Sequence, residues 1–327
     1  MGLPLTVGQL GEFGLIDHIA GLVSAAGPVE GVVLGIGDDT ACWHPRPGLE
    51  LATTDSLVEG VHFLMDRSTP EELGWKALAV NLSDVAAMGG VPGYALVSLA
   101  LPPHTRVDWV TALYRGMLDI ATAYGAGIVG GDVHAAPQVV VTVALWGSLD
   151  APAPLMRSAA RPGDRLAVTG TLGASAGGLR LLLEGRPVPP ALREAHLRPR
   201  PQVEAGQHLL RSGVKAAIDI SDGLLSDLGH ICRASGVGAR VVTDQVPVDP
   251  HLRQAFGGGA LGLALSGGED YQLLFTAPAE VMGRVKQGLS VTELGEVTPQ
   301  REQIDLVDAA GRPVPWHHKG WQHFGPR

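Results

Sequence analysis

The chain has 327 residues, 45% of them hydrophobic and 17% charged, and a formal net charge of −9. That length accommodates two domains of ordinary size. The acidic balance argues against nucleic-acid or anionic-membrane partners, which need basic surfaces, and the absence of a fixed glycine period excludes a collagen-like fibre.

No uninterrupted apolar stretch approaches the roughly 20 residues of a membrane helix. The N-terminal stretch has no basic run and already carries Glu12 and Asp17, so it does not read as a secretory signal. Cys42 and Cys232 lie far apart without metal-type spacing, which predicts reduced structural thiols and a cytoplasmic location.

In chain order, residues 9–26 pattern as an amphipathic helix with Phe13, Ile16, Ile19, Leu22 and Val23 on one side, ended by Gly27-Pro28. Val32–Ile36 predicts a buried strand that delivers Gly35-Ile-Gly37 and then Asp38-Asp39. Adjacent carboxylates repel, so they belong at a strand end if a divalent cation holds them. Mg²⁺ favours hard oxygen ligands, commonly one or two carboxylates plus substrate phosphates. For this pentapeptide alone, a solvated acidic turn is the simpler alternative. A short strand at Leu49–Thr54 closes on Asp55, and Glu59-Gly-Val-His62-Phe63 follows. A lone histidine such as His62 is, on its own, most simply a hydrogen-bonded structural residue.

Thr69-Pro70-Glu71-Glu72 is a helix start, with Thr69 as N-cap, Pro70 at the first helical position and Glu72 completing a capping box. The helix runs to about Met88. Asn81 and Asp84 are three apart and share a face. They form either a buried hydrogen-bonded pair or a ligand-facing amide beside a metal-facing carboxylate. A strand at Tyr94–Leu101, a helix at Asp108–Tyr124, a glycine-rich strand at Gly127–Gly131 leading to Asp132, and a strand at Val139–Trp146 complete a first domain at residues 1–150.

Asp150-Ala-Pro-Ala-Pro154 is the best linker, and it opens a second domain at residues 151–327. Strand Arg165–Thr169 leads through Gly170-Thr-Leu-Gly173 into a helix ending near Leu183. The glycine spacing does not fit a dinucleotide-binding turn. Pro187–Pro201 is a proline-rich connection, Gln202–Ser212 a helix and Ala216–Ile220 a strand. Asp219 and Ser221, two apart, face one way. Leu224–Ala234 is a helix; Arg240–Thr243 and Tyr271–Thr276 are strands, the latter preceded by the acidic turn Ser266-Gly-Gly-Glu269-Asp270. The tail from Trp316 to Phe324 carries His317, His318 and His323 without zinc-like spacing. It reads as an aromatic flap over a core or a ring-shaped ligand. The mixed order of elements gives an α+β fold in two domains.

No P-loop, protein-kinase motif set or G-x-S-x-G elbow occurs. Aspartates instead recur where apolar segments end, at Asp55, Asp84, Asp132, Asp219 and Asp222 as well as Asp38-Asp39. This repetition suggests one multi-metal phosphate site. Phosphoryl transfer needs positioning and charge neutralisation, which such a site can supply.

Together, Gly11-Glu-Phe-Gly-Leu-Ile16, Gly35-Ile-Gly-Asp-Asp39, Thr54-Asp55 with His62-Phe63, Lys76–Asp84, Ile218-Asp-Ile-Ser-Asp-Gly223 and Leu265-Ser-Gly-Gly-Glu-Asp-Tyr271 resemble the thiamine-monophosphate kinase family, in that family's order and over nearly the whole chain. The resemblance implies an aminoimidazole-ribonucleotide synthetase-like fold. An N-terminal α/β domain would carry the ATP site and a dimer-forming sheet, and a C-terminal α+β domain would close over it. It implies Mg²⁺-dependent phosphorylation of thiamine monophosphate by ATP in thiamine diphosphate biosynthesis, in a cytoplasmic homodimer. By position, the metal ligands would be Asp39, Thr53, Thr54, Asp55, Asp84, Asp132, Asp219 and Asp222, with Asp39, Asp84 and Asp219 central to catalysis. Tyr114, Gly131, Asp132, Arg157 and Ser221 would contact the nucleotide. His62, Glu269 and Trp321 would contact the thiamine phosphate, whose cationic ring favours an aromatic face. A same-fold enzyme with another acceptor and a non-catalytic nucleotide-binding dimer are the alternatives.

Overall fold

The computed structural model describes residues 4–316. They fall into two units, one made of residues up to Val85 with Val91–Pro152, the other of Ala86–Gly90 with the described residues from Ala153 onward.

In chain order the first unit carries α1 (Val7–Leu10), α2 (Glu12–Ala25), β1 (Val32–Leu34), β2 (Cys42–Trp43), β3 (Leu49–Val58), α3 (Pro70–Ala87), β4 (Val91–Leu101), α4 (Val107–Tyr124), β5 (Gly127–Ala135) and β6 (Val140–Leu149). A four-stranded sheet has the order β3-β6-β4-β5, in which only β4–β5 is parallel. One sheet face, through Val97, Leu99, Val141, Val143 and Leu145, packs on α2, α3 and α4. The two long helices cross at close range. A Cβ on Gly74 would lie 1.9 Å from the Leu113 carbonyl oxygen, and one on Gly116 would lie 1.9 Å from that of Glu71.

The α3 start follows the local sequence. The Thr69 N–H donates to Glu72 Oε2 at 2.9 Å and the Glu72 N–H to Thr69 Oγ1 at 3.2 Å. Elsewhere the structure departs from expectation. Gly11, at φ 77°, splits the expected helix over residues 9–26 into α1 and α2. The buried stripe then runs through Leu15 and Ile19, and Phe13 is 78% exposed. Val33 and Leu34 are exposed too. The stretch expected to be a buried strand is therefore a surface ladder pairing β1 with β2. β3 does not stop at Asp55, because its ten residues all pair with β6 and leave Asp55 opposite Val143 in mid-strand.

The second unit has β7 (Arg165–Thr169), α5 (Ala174–Leu183), α6 (Pro190–Leu197), α7 (Val203–Arg211), β8 (Ala216–Asp219), α8 (Leu224–Ser235), β9 (Gly238–Val242), α9 (Pro250–Phe256), α10 (Ala260–Ser266), β10 (Leu273–Ala277), α11 (Ala279–Val285), β11 (Val291–Thr298) and β12 (Ile304–Val307). Its six-stranded sheet has the order β12-β9-β11-β7-β10-β8. Leu166, Val168, Ile218 and Leu274 on one face pack with α5, α8 and α10. Ala167, Ala217, Leu273 and Phe275 on the other pack with α7 and α11. A sheet covered on both faces needs continuous apolar strands, and every residue of β8 and β10 is buried. The expected connection at Pro187–Pro201 contains α6, where Pro190 occupies the first turn that tolerates proline. Among the described residues, no helix is long and apolar enough to cross a membrane.

Candidate functional site

In the first unit α3 carries Asp84 and β3 carries Thr53 to one another, and the Thr53 hydroxyl donates to Asp84 Oδ2 at 2.5 Å. Strand alternation puts Asp55 on the same face as Thr53. Asn81 lies one turn before Asp84, is 0% exposed, and its amide donates to the Ala77 carbonyl at 3.0 Å. Thr54 faces the other way, and its hydroxyl donates to the Val143 carbonyl at 3.0 Å.

The register decides a further point. Asp55, Val143, Val97 and Gly131 form one cross-strand row; Ser56, Thr142, Ser98 and Asp132 form the next. Paired residues across a sheet point to one face. Asp132 thus shares the face of Thr54 and Ser56, with its Oδ2 at 3.0 Å from His134 Nδ1. The first unit groups Thr53, Asp55 and Asp84 on one face and Thr54 and Asp132 on the other, so it does not gather all its expected ligands on a single face.

Asp38 and Asp39 are exposed, and Asp38 Oδ1 accepts the Asp39 N–H at 2.9 Å. Their loop runs beside β5, since a Cβ on Gly35 would lie 3.7 Å from the Val129 carbonyl oxygen. Gly131, at φ 157°, lets β5 approach β4 where a Cβ would meet the Val97 carbonyl oxygen at 1.9 Å. His62 Nδ1 accepts the Val58 N–H at 3.0 Å, which places the proton of the neutral ring on Nε2. Tyr114 is 3% exposed within the core, and burial holds its phenol far above the ordinary value.

In the second unit β8 ends at Asp219 and a bend carries Ser221 and Asp222 into α8. Arg157, in the 3₁₀ turn Arg157–Ala159, is tied to α8 because Ser235 Oγ donates to its carbonyl at 2.8 Å. The acidic turn follows α10. There the Glu269 N–H donates to the Ser221 carbonyl at 2.8 Å and the Tyr271 N–H to the Ile220 carbonyl at 2.9 Å. The Glu269 carboxylate meets His196 Nδ1 at 3.1 Å. Asp270 accepts the Gly173 N–H at 2.6 Å and the Ser175 N–H at 3.4 Å, tying the turn to the start of α5.

Four residues here had no expected role: His196, Asp227, His230 and Asp270. Asp222, Asp227 and His230 offer ligand atoms within 4.8 Å of one another. Burial pushes the Asp227 carboxyl up to about 8; Asp219 and Asp222 push the same way, and the Asp222 and Gly223 amides pull it back. Desolvation lowers His230, with Arg157 and Arg233 adding to the effect against Asp222. Desolvation raises Asp270 to about 7 against its two amide donors. For Asp227 the sequence signal is spacing: it stands four residues after Gly223, one helical turn. Trp321, His317, His318 and His323 lie outside the described residues.

Every metal ligand expected from the sequence offers oxygen, either carboxylate or hydroxyl, which suits Mg²⁺ rather than a soft thiolate-bound metal. Residues 37–149 match the family described as AIR synthase related protein, N-terminal domain, and residues 161–307 match its C-terminal domain. The chain is 41% identical to the thiamine-monophosphate kinase of Salmonella typhimurium over 326 residues, covering 96% of this chain and 98% of that protein. A solved thiamine-monophosphate kinase from Stenotrophomonas maltophilia superimposes with TM-score 0.81 at 36% identity, covering 92% of this chain and 96% of that one. A structure described as AaThiL complexed with AMPPCP and TMP gives TM-score 0.77 at 38% identity, covering 99% and 100%.

Proposed function

The chain belongs to the AIR synthase related family, among its thiamine-monophosphate kinases, and from that premise we propose that it phosphorylates thiamine monophosphate with ATP, giving thiamine diphosphate and ADP. The observation that carries this reading is the pair of acidic constellations, Thr53–Asp55–Asp84 in one unit and Asp219–Ser221–Asp222 in the other, in a chain so similar to a protein that binds both AMPPCP and TMP.

An oxygen of the acceptor phosphate attacks the γ-phosphorus as the bond to the β–γ bridging oxygen breaks, and the electron pair leaves with ADP. A phosphate monoester has its second pKa near about 6 and is largely ionised at neutral pH, so the residues need not supply a strong base. When bound, Mg²⁺ would supply neutralisation of phosphate charge. In the first unit Asp39, Asp55 and Asp84 would hold Mg²⁺, with Thr53 orienting Asp84 through its hydroxyl, and in the second unit Asp219 and Asp222 would. Asp132 and Thr54, on the other sheet face, are proposed as ligands on the resemblance alone. Arg157, Ser221 and the Gly131-Asp132 backbone bind nucleotide. Tyr114 lies in the core, so its nucleotide contact likewise rests on the resemblance. His62 and Glu269 orient the thiamine phosphate, the carboxylate of Glu269 opposite the cationic ring, and Trp321 adds an aromatic face.

Homodimerisation is proposed on the resemblance alone. The proposed location is the cytoplasm, where ATP and thiol-reducing conditions coexist. Label placed on the γ-phosphate of ATP should appear on the terminal phosphate of thiamine diphosphate. Label recovered only as inorganic phosphate contradicts the reading.

A further inference from the structure

We propose that Asp227 is a positioning residue whose single carboxylate oxygen sets both functional turns of the second unit. It is 1% exposed, too buried to touch a substrate. Its Oδ2 accepts the N–H groups of Ser221, Asp222 and Gly223, each at 3.1 Å. Three successive amides converging on one oxygen fix a backbone that side-chain packing alone would leave adjustable. Gly223, at φ 113°, is pressed so close to the end of α10 that a Cβ would lie 2.8 Å from Ser266 backbone atoms.

The fixed loop in turn holds the acidic turn. The Ser221 amide is bound by Asp227, and the Ser221 carbonyl accepts from Glu269. Glu269 and Tyr271 adopt φ 64° and 50°, left-handed conformations unusual outside glycine. Such conformations persist only where the surroundings over-determine them. The Ile220 and Ser221 carbonyls are the anchors here, and Asp227 fixes the segment that follows them. His196 then sets the Glu269 side chain. The cluster with Asp222 and His230 resembles a ligand trio, but Asp227 Oδ2 is committed to three amides, so that oxygen serves as scaffold.

The kinetic consequence rests on the proposed reaction; the geometric consequence does not. Both are measured on the full-length protein. In the wild type, hydrogen exchange should show the amides of Ser221, Asp222 and Gly223 protected like those of β10. In Asp227→Ala, exchange at residues 221–223 and 269–271 should rise by about tenfold or more while β9 and β11 stay unchanged. The half-saturating Mg²⁺ and the KM for thiamine monophosphate should rise together by about tenfold. Asp227→Asn keeps an oxygen acceptor and should restore both exchange and kinetics to within about threefold of wild type. Unprotected wild-type amides overturn the proposal. So does an Asp227→Asn variant that keeps its protection yet loses activity like the alanine variant, since the charge itself would then be the active feature. If Asp227→Ala does not fold, the wild-type and asparagine measurements decide. A wild type without turnover refutes the kinase reading, and exchange still judges the positioning.

Discussion

Asp84→Asn separates chemistry from folding because the structure gives different magnitudes for the two. Asp84 accepts the Thr53 hydroxyl at 2.5 Å. Asparagine keeps a carbonyl oxygen there, so a charge-assisted bond becomes a neutral one. The difference is about 1 kcal/mol, or roughly 2–4 °C in melting temperature for a unit of this size. Turnover loses an anionic ligand that would hold the charge-neutralising Mg²⁺, and losing one such electrostatic stabiliser costs on the order of 100-fold or more. ADP release at saturating ATP and thermal melting, read on one preparation, check both. The reasoning is refuted if kcat falls by only a few-fold, or if the melting temperature collapses in proportion to the activity.

Other consequences follow from the second unit and the metal. A Cβ at Gly268 would sit 2.4 Å from the Ser221 carbonyl oxygen. Gly268→Ala should therefore cost about 1–3 kcal/mol by overpacking and raise the KM for thiamine monophosphate; a variant with wild-type KM shows that the two turns are not coupled. Asp270 is raised from 3.8 to about 7, so the folded state binds more protons than the unfolded state across that interval. Its contribution to stability is full below about pH 4, falls by about 1.4 kcal/mol per pH unit toward pH 7, and levels off above that. Denaturation of wild type and Asp270→Asn across this range should differ by that slope, and a flat difference contradicts the assignment. Chelation of Mg²⁺ should abolish turnover while far-ultraviolet circular dichroism is unchanged, because the apolar clusters of both units are built from residues other than the proposed ligands; unfolding on chelation would contradict this.

Local chemistry was the legible part of the sequence. The Thr69–Glu72 capping box needs only four residues, and both of its hydrogen bonds formed. Pairing was not legible. β3 runs past Asp55 because β6 offers partners through Val58, and nothing near Asp55 signals that. The face of Asp132 depends on the β4–β5 register and on an irregularity between Ala95 and Leu96. The acidic turns were recognised as motifs, but not the side chain that fixes them. Asp227 acts by accepting backbone bonds, and an aspartate four residues after Gly223 looks like any other polar residue in the first turn of a helix.

The most direct test is ADP release from ATP and Mg²⁺ with and without thiamine monophosphate, with the organic product identified by mass. The account predicts ADP formation that depends on thiamine monophosphate and yields thiamine diphosphate in equal amount. ADP release indifferent to thiamine monophosphate, with no thiamine diphosphate formed, would contradict it.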